Sequence, residues 1–342
     1  MAMTSRKKHG LWTLAAIAAA AILYGLYWNI LAGQFRAGIE HWAAERKAEG
    51  VEVAFSTLRI GGFPFKLDAV LSNPVISISD GVRSWTWQGP LMLMRARPWT
   101  PNRARVSVPG RHRIAIKDGA RPLDLIADAG TLEMSLRFGD GGIIQAVVSA
   151  RNVTLNKAAS GKGSRVLGLT RAEISAARPG DGNEGLDVGF KANAITYPVA
   201  PVAGLGLKTE RVGLEVEIKG EPPLNPNTET MAVWRDNGGT LEFNTLDLNH
   251  GPLKLAGDGT GALDKGLQPI GAFSLRVRGF RETLDRLETA GLIQPRPAAL
   301  VKAVLDVLSR SQGTGDALGE DAEVKLPLSI QDGKFFIGPV PV

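Results

Sequence analysis

Cysteine is absent from this chain of 342 residues, which excludes disulfides, thiolate nucleophiles and cysteine metal sites. The fold is therefore held by ordinary packing. Histidine is scarce as well. His9, His41, His112 and His250 lie far apart, and none has the spacing of a His-x-Glu-x-x-His metal site. No serine stands in a Gly-x-Ser-x-Gly elbow, and the acids are scattered rather than clustered. Gly161-Lys162-Gly163-Ser164 lacks both the glycine spacing and the following helix of a phosphate loop. These absences leave no catalytic residue, no metal and no cofactor to nominate. The net charge is +6, half of it from Arg6, Lys7 and Lys8. So mild a balance does not point to nucleic acid.

What the chain does have is one long uncharged run, Leu11–Leu31. As a helix it is about 31 Å long, close to the hydrocarbon thickness of a bilayer. Trp12 marks one end, and Tyr24, Tyr27 and Trp28 cluster near the other, where amphipathic rings favour the headgroup level. Arg6, Lys7 and Lys8 precede the run and keep residues 1–10 in the cytoplasm by the positive-inside rule. The run is longer than the apolar core of a secretory signal, and Ala32-Gly33-Gln34 is a poor cleavage site. The expected arrangement is a single-pass signal-anchor at 11–31 with residues 33–342 across the membrane, and the lack of cysteine is compatible with a bacterial periplasm.

Gly33–Glu49 reads as a membrane-proximal helix ended by Gly50, with Phe35, Ile39, Trp42 and Ala43 on one face and His41 packed beside it. From Val51 the apolar period becomes two, and the 41 glycines and 20 prolines punctuate many short runs, as antiparallel strands with tight turns require. Three runs end in Asp-Gly, at Asp80, Asp118 and Asp332, a hairpin-turn pair. Residues 156–185 are polar and glycine-rich, with a loop expected at Ala158–Ser164 and a turn at Pro179–Gly185. They are the candidate boundary between two subdomains of 51–342. Pro222, Pro223 and Pro226 read as an irregular connection. Helices are expected at Glu282–Ala290 and at Pro297–Ser309, the latter burying Leu300, Val301, Val304, Leu305 and Leu308. The fold class is mainly β (β-rich α+β): an N-terminal transmembrane helix, a long antiparallel and curved sheet, and a C-terminal helical hairpin.

Trp85 and Trp87 share one strand face; with Trp99, Phe63 and Phe65 they make either a core or an apolar ligand-contacting surface. Several segments resemble a bacterial envelope family catalogued as domain of unknown function 2125: Arg59-Ile-Gly-Gly-Phe-Pro-Phe-Lys-Leu67, Asn73-Pro74, Trp85-Thr-Trp87, Pro98-Trp99, Val108-Pro-Gly110, Asn249-His-Gly-Pro-Leu253, Gly257-Asp-Gly-Thr260, Leu263-Asp264 and Pro327–Phe335. Its β-rich architecture is similar in style to AsmA-like envelope proteins, and that looser likeness implies an apolar sheet face offered to lipid.

Three functions follow as expectations. The first is a membrane-anchored, non-enzymatic module that binds or transfers lipid or another apolar ligand in a β-lined groove, with Phe63, Phe65, Trp85, Trp87 and Trp99 as candidate contacts. The second is an envelope scaffold that binds protein partners. The third is a periplasmic hydrolase, which needs two carboxylates about 5–10 Å apart in a polar cleft. The orientation is directly testable: a reporter fused at the N-terminus should read cytoplasm and one fused at Val342 periplasm, and the reverse result would refute the envelope assignment.

Overall fold

A 46-residue helix, α1 (Met3–Ala48), opens the computed structural model, which describes residues 3–48, 50–79, 82–118, 122–139, 142–158, 165–179, 185–223, 226–311, 323–337 and 340–341. Gly33 does not interrupt it. The segments expected at 11–31 and 33–50 are thus one rod, about 69 Å long at 1.5 Å per residue. Arg6, Lys7, Lys8 and Leu11 lie on α1, but their side chains are outside the described set. Residues 12–23 are exposed; among the described residues α1 is the helix long and apolar enough to cross a membrane.

The second half of α1 is a docking helix. Trp28 packs with Leu67 and Ala96, Ile39 with Ala69 and Leu71, and Phe35 touches both groups. The helical spacing 28–35–39 meets the two-residue spacing 67–69–71, so one stripe covers one strand face. Ala69 and Ala96 are small enough to let the helix approach closely, and both are buried. His41 lies about 200° around the helix from Ile39. It is exposed rather than packed, with its Nε2 3.1 Å from Glu45. Trp42 is half-exposed.

The chain divides into two compact units: Met1–Ile126 with Ser135–Phe138, and Ala127–Met134 with Gly139–Val342. The division falls within one strand, β9, whereas the polar stretch 156–185 lies inside the second unit. The strands of the first unit are β1 (Val51–Ala54), β2 (Thr57–Gly61), β3 (Leu67–Ser72), β4 (Val75–Ser79), β5 (Arg83–Gln88), β6 (Leu91–Arg97), β7 (Thr100–Ser107) and β8 (Arg111–Asp118), followed by β9 (Leu123–Gly139). Consecutive pairs act as long strands broken in the middle. β1 pairs with β4 while β2 pairs with β3, β4 with β5 while β3 pairs with β6, and β5 with β8 while β6 pairs with β7, all antiparallel. The breaks fall at Ser56, Asn73-Pro74, Gly89-Pro90 and Pro109-Gly110. Proline cannot donate to a ladder, and Asn73 takes a positive φ of 49°. Asn73 N donates to Pro90 O at 3.0 Å and Gly89 N to Pro74 O at 3.1 Å, so the bends remain hydrogen-bonded.

The second unit is a meander in which each strand pairs antiparallel with the next: β10 (Gly142–Lys157), β11 (Arg165–Ala177), β12 (Gly185–Thr196), β13 (Lys208–Lys219), β14 (Thr240–His250), β15 (Leu253–Leu263), β16 (Pro269–Arg278), β17 (Glu323–Gln331) and β18 (Lys334–Ile337). The register lines up apolar rows across one face. One row is Ile174, Phe190, Leu214, Leu246, Gly257, Leu275, Leu326. The next is Val188, Val216, Phe243, Gly259, Phe273, Leu328. The second row stays on this face because β14 slips register after Phe243. Without that bulge, Phe243 and Leu246 would point to opposite sides.

Helices are inserted into this meander. α2 (Thr228–Asp236) starts at Asn227 with a reciprocal capping box to Thr230; a connection without helix was expected there, because the prolines precede the cap. α3 (Phe280–Thr289) and α4 (Pro295–Ser311) lie between β16 and β17, close to the expected helical hairpin. They cover Val277 and Val324 through Phe280, Leu284, Leu305 and Leu308. Val301 and Val304 are exposed rather than buried, because the packed stripe of α4 runs through Ala298, Leu305 and Leu308. The side chain of Leu300 is outside the described set. Of the three Asp-Gly turns, Asp332-Gly333 closes the β17–β18 hairpin with φ of 50° and 68°. Asp80-Gly81 and Gly119 fall outside the described residues, as do 159–164 and 180–184 of the expected loop and turn.

Glycine at 259 is a packing requirement. A Cβ there would sit 2.3 Å from Phe273 Cδ1, because Phe273 leans over the bare strand to meet Phe243, with ring centroids 5.3 Å apart. Gly259→Leu should cost about 1–3 kcal/mol by overpacking, read as a lowered midpoint in chemical denaturation. An unchanged midpoint would contradict this packing.

Candidate functional site

The five aromatic residues singled out in the sequence do not form one site. Phe63 and Phe65 lie at the β2–β3 hairpin and Trp99 at the β6–β7 hairpin, all three exposed. Both hairpins are fastened to α1. The Tyr24 hydroxyl donates to Pro64 O, the Tyr27 hydroxyl to Pro98 O at 2.9 Å, and Trp28 Nε1 to Lys66 O at 2.9 Å. Trp85 and Trp87 stand on β5 in a different setting. Trp85 lies between Ile78 and Ile116, and Trp87 between Ile76 and Ile114. Trp87 also stacks on the buried His112, with ring centroids 5.6 Å apart. Trp85 and Ile78 retain large exposure, so this ladder has an open edge.

A cavity of about 320 Å³ lies in the second unit, and none of those five residues lines it. Its floor is the apolar sheet face at Ile218, Phe243, Phe273 and Ile330; its wall is Met231 and Trp234 of α2, with Pro222, Pro223 and Pro226 at the rim. The lining is almost wholly apolar. Trp234 Nε1 is spoken for, donating to Lys219 O at 3.0 Å, so the indole presents hydrocarbon to the cavity and its polar atom to the strand. The volume is at the lower end of the range for small-molecule sites, about 300–1,000 Å³. The sequence signal for it was present but easily missed: Asn227-Thr228-Glu229-Thr230 is a cap sequence, followed by Met231 and Trp234 three apart.

The opposite sheet face carries ion pairs. Lys191 Nζ is 2.6 Å from Glu215, which also accepts from Thr245 Oγ1 at 2.8 Å. Arg211 meets Asp247 at 3.2 Å, and Lys219 meets Glu242. The hydrogen bond from Lys191, then that from Thr245, holds the Glu215 carboxyl below its ordinary range. Arg113 does the same for Asp124 through a hydrogen bond in the first unit. A general acid needs the reverse, a carboxyl held up toward neutrality. Among the described residues no three metal-ligating side chains come together. His250 is buried, with Nδ1 2.7 Å from Thr209 Oγ1, and is part of the packing under the β14–β15 turn.

A β-rich body of two units carrying an N-terminal apolar helix defines the class: a sheet protein with a membrane-length N-terminal helix. Within it, the chain belongs to the bacterial family described as "Uncharacterized protein conserved in bacteria (DUF2125)", which matches residues 28–342. The match begins at Trp28, which α1 packs into the core with Leu67 and Ala96. It supports the first of the two resemblances drawn from the sequence; the AsmA-like likeness is not shown by it. No curated protein matches the chain. The segments that carried the resemblance now have places. Gly61–Lys66 and Pro98-Trp99 are hairpin tips, Asn73-Pro74 and Pro109-Gly110 are bends, and His250-Gly251-Pro252 is the β14–β15 turn.

Because the Glu215 carboxyl is depressed in the folded state, its stabilising contribution is fully present above the ordinary carboxylate pKa and is lost as pH falls through the lower, folded value. Lys191→Met should therefore lower stability above that range and leave it little changed at the acid end, as measured by denaturation at a series of pH values. An equal loss at every pH would show that the lysine acts only through packing.

Proposed function

We propose that this protein is a membrane-anchored, non-enzymatic module of the bacterial inner membrane whose body lies in the periplasm and holds a lipid or other apolar ligand in the cavity of the second unit. The observation that carries this reading is the cavity itself: sheet-floored, helix-walled and lined with hydrocarbon, in a protein that carries a membrane-length helix. Water gains little from such a space, and an acyl chain or similar group gains the transfer of its surface out of water. The anchor reading draws support from the packing of α1. Cleavage after Ala32 would strip Tyr24, Tyr27 and Trp28 from the hairpins they hold and would remove a buried member of the core. Orientation follows from Arg6, Lys7 and Lys8 ahead of the apolar run.

A scaffold role is the second reading, favoured by the exposed Ile78–Trp85 edge of the first unit, an apolar patch of the kind that protein partners cover.

Full-length protein purified in detergent and stripped of lipid should take up an acyl-chain ligand in native mass spectrometry and change Trp234 fluorescence as it does. Met231→Glu, which places a charge in the cavity wall, should abolish uptake while leaving the folded state intact by circular dichroism. Uptake undiminished by Met231→Glu, or no uptake by the unmodified protein, would refute the cavity as the ligand site.

A further inference from the structure

Two hairpin tips of the first unit reach back alongside the membrane segment. Phe63 and Phe65 are 57% and 67% exposed and Trp99 56%, a dense apolar display for turns on a soluble surface. Their positions are fixed by the three hydrogen bonds from Tyr24, Tyr27 and Trp28, and by Phe63 lying edge-on to Trp28 with ring centroids 5.5 Å apart.

Depth follows by counting along the helix. The span read from the sequence ends at Leu31, and Tyr24 lies about 10 Å short of that end. Helical side chains lean toward the N-terminus, so the hydroxyl that meets Pro64 reaches further still toward the bilayer centre. If the tips stayed in water, the span would have to stop near Leu23. It would then be about 20 Å long against a hydrocarbon core of about 30 Å. A full-length span puts the tips within the leaflet.

The tips are chemically prepared for that position. Backbone groups exposed to lipid must be satisfied within the protein. Pro64 and Pro98 have no N–H to satisfy, and the carbonyls of Pro64, Lys66 and Pro98 each accept from an aromatic donor on α1. Lys66 N donates to Gly62 O at 2.9 Å, closing the first tip on itself. Lys66, Arg97 and Arg103 flank the tips and are exposed; long basic side chains of this kind extend from an apolar level to lipid phosphates.

We propose that the Phe63–Phe65 and Trp99 tips are inserted into the lipid leaflet from which α1 emerges, and that they fix the first unit at the membrane surface at three points: the helix and two hairpins. This rests on the reading of α1 as an uncleaved anchor and is independent of the cavity.

The natural absence of cysteine lets a single introduced thiol be labelled without background. Full-length Phe65→Cys, Trp99→Cys, Val82→Cys and Ala19→Cys proteins, labelled with an environment-sensitive fluorophore and reconstituted in phosphatidylcholine–phosphatidylglycerol vesicles, can be compared for quenching by spin-labelled lipid and by aqueous iodide. Val82 is an exposed residue just before β5, at the other end of the long strands, and Ala19 lies mid-span. The tip labels should be quenched by lipid severalfold more than Val82→Cys, and by iodide severalfold less. Tip labels that behave like Val82→Cys while Ala19→Cys is lipid-quenched would overturn the insertion and leave the anchor standing. Ala19→Cys quenched by iodide would overturn the anchor as well. Tip labels shielded from both quenchers would mean protein contact, and would also overturn the proposal.

Discussion

An antiparallel sheet written with alternating residues has one face that water disfavours, and that face has to be covered. Every helix described in this chain answers to that constraint. In the first unit α1 lays Trp28, Phe35 and Ile39 along β3, sealing Leu67, Ala69 and Leu71. In the second, α3 and α4 seal the rows around Val277 and Val324, and α2 brings Trp234 over the rows that include Ile218 and Phe243. The nine-residue α2 is too short to fill the space it roofs. The cavity is what remains of the uncovered face. Candidate function and fold thus share one cause.

Much of this was legible in the sequence. The uncharged run, the switch from helical to two-residue periodicity at Val51, the Asp-Gly hairpin at Asp332 and the late pair of helices are local signals, readable where they occur. Non-local features were not legible. Nothing in the spacing of Trp85, Trp87, Trp99, Phe63 and Phe65 says that the first two share a ladder with Ile78 and Ile116 while the others sit on separate hairpin tips. That assignment depends on which strands pair, and the pairing skips neighbours at each bend. Proline carried two meanings that the sequence could not separate. At Pro74 and Pro90 it bends a continuing strand; at Pro222 and Pro223 it precedes a helix.

The glycines show the same division. Their abundance was read correctly as a sign of many turns, yet Gly257 and Gly259 lie in the middle of β15. There they make room for Leu275 and Phe273, which lean from the neighbouring strand. The apolar rows are continuous in packing even where they are interrupted in side chains, a property of the register that no single strand reveals.

The absence of a linker between α1 and β1 has a further consequence. Helix ends at Ala48 and strand begins at Val51, and the helix is already packed on the sheet by Trp28. A tethered domain on a flexible chain sweeps a volume and meets its partners by search. The first unit instead has a set bearing around the axis of α1. Each residue added to or removed from the apolar run ahead of Tyr24 would turn the first unit by about 100° relative to the start of that run and move it by about 1.5 Å. The length of that segment therefore sets the direction in which the first unit faces, as well as its height.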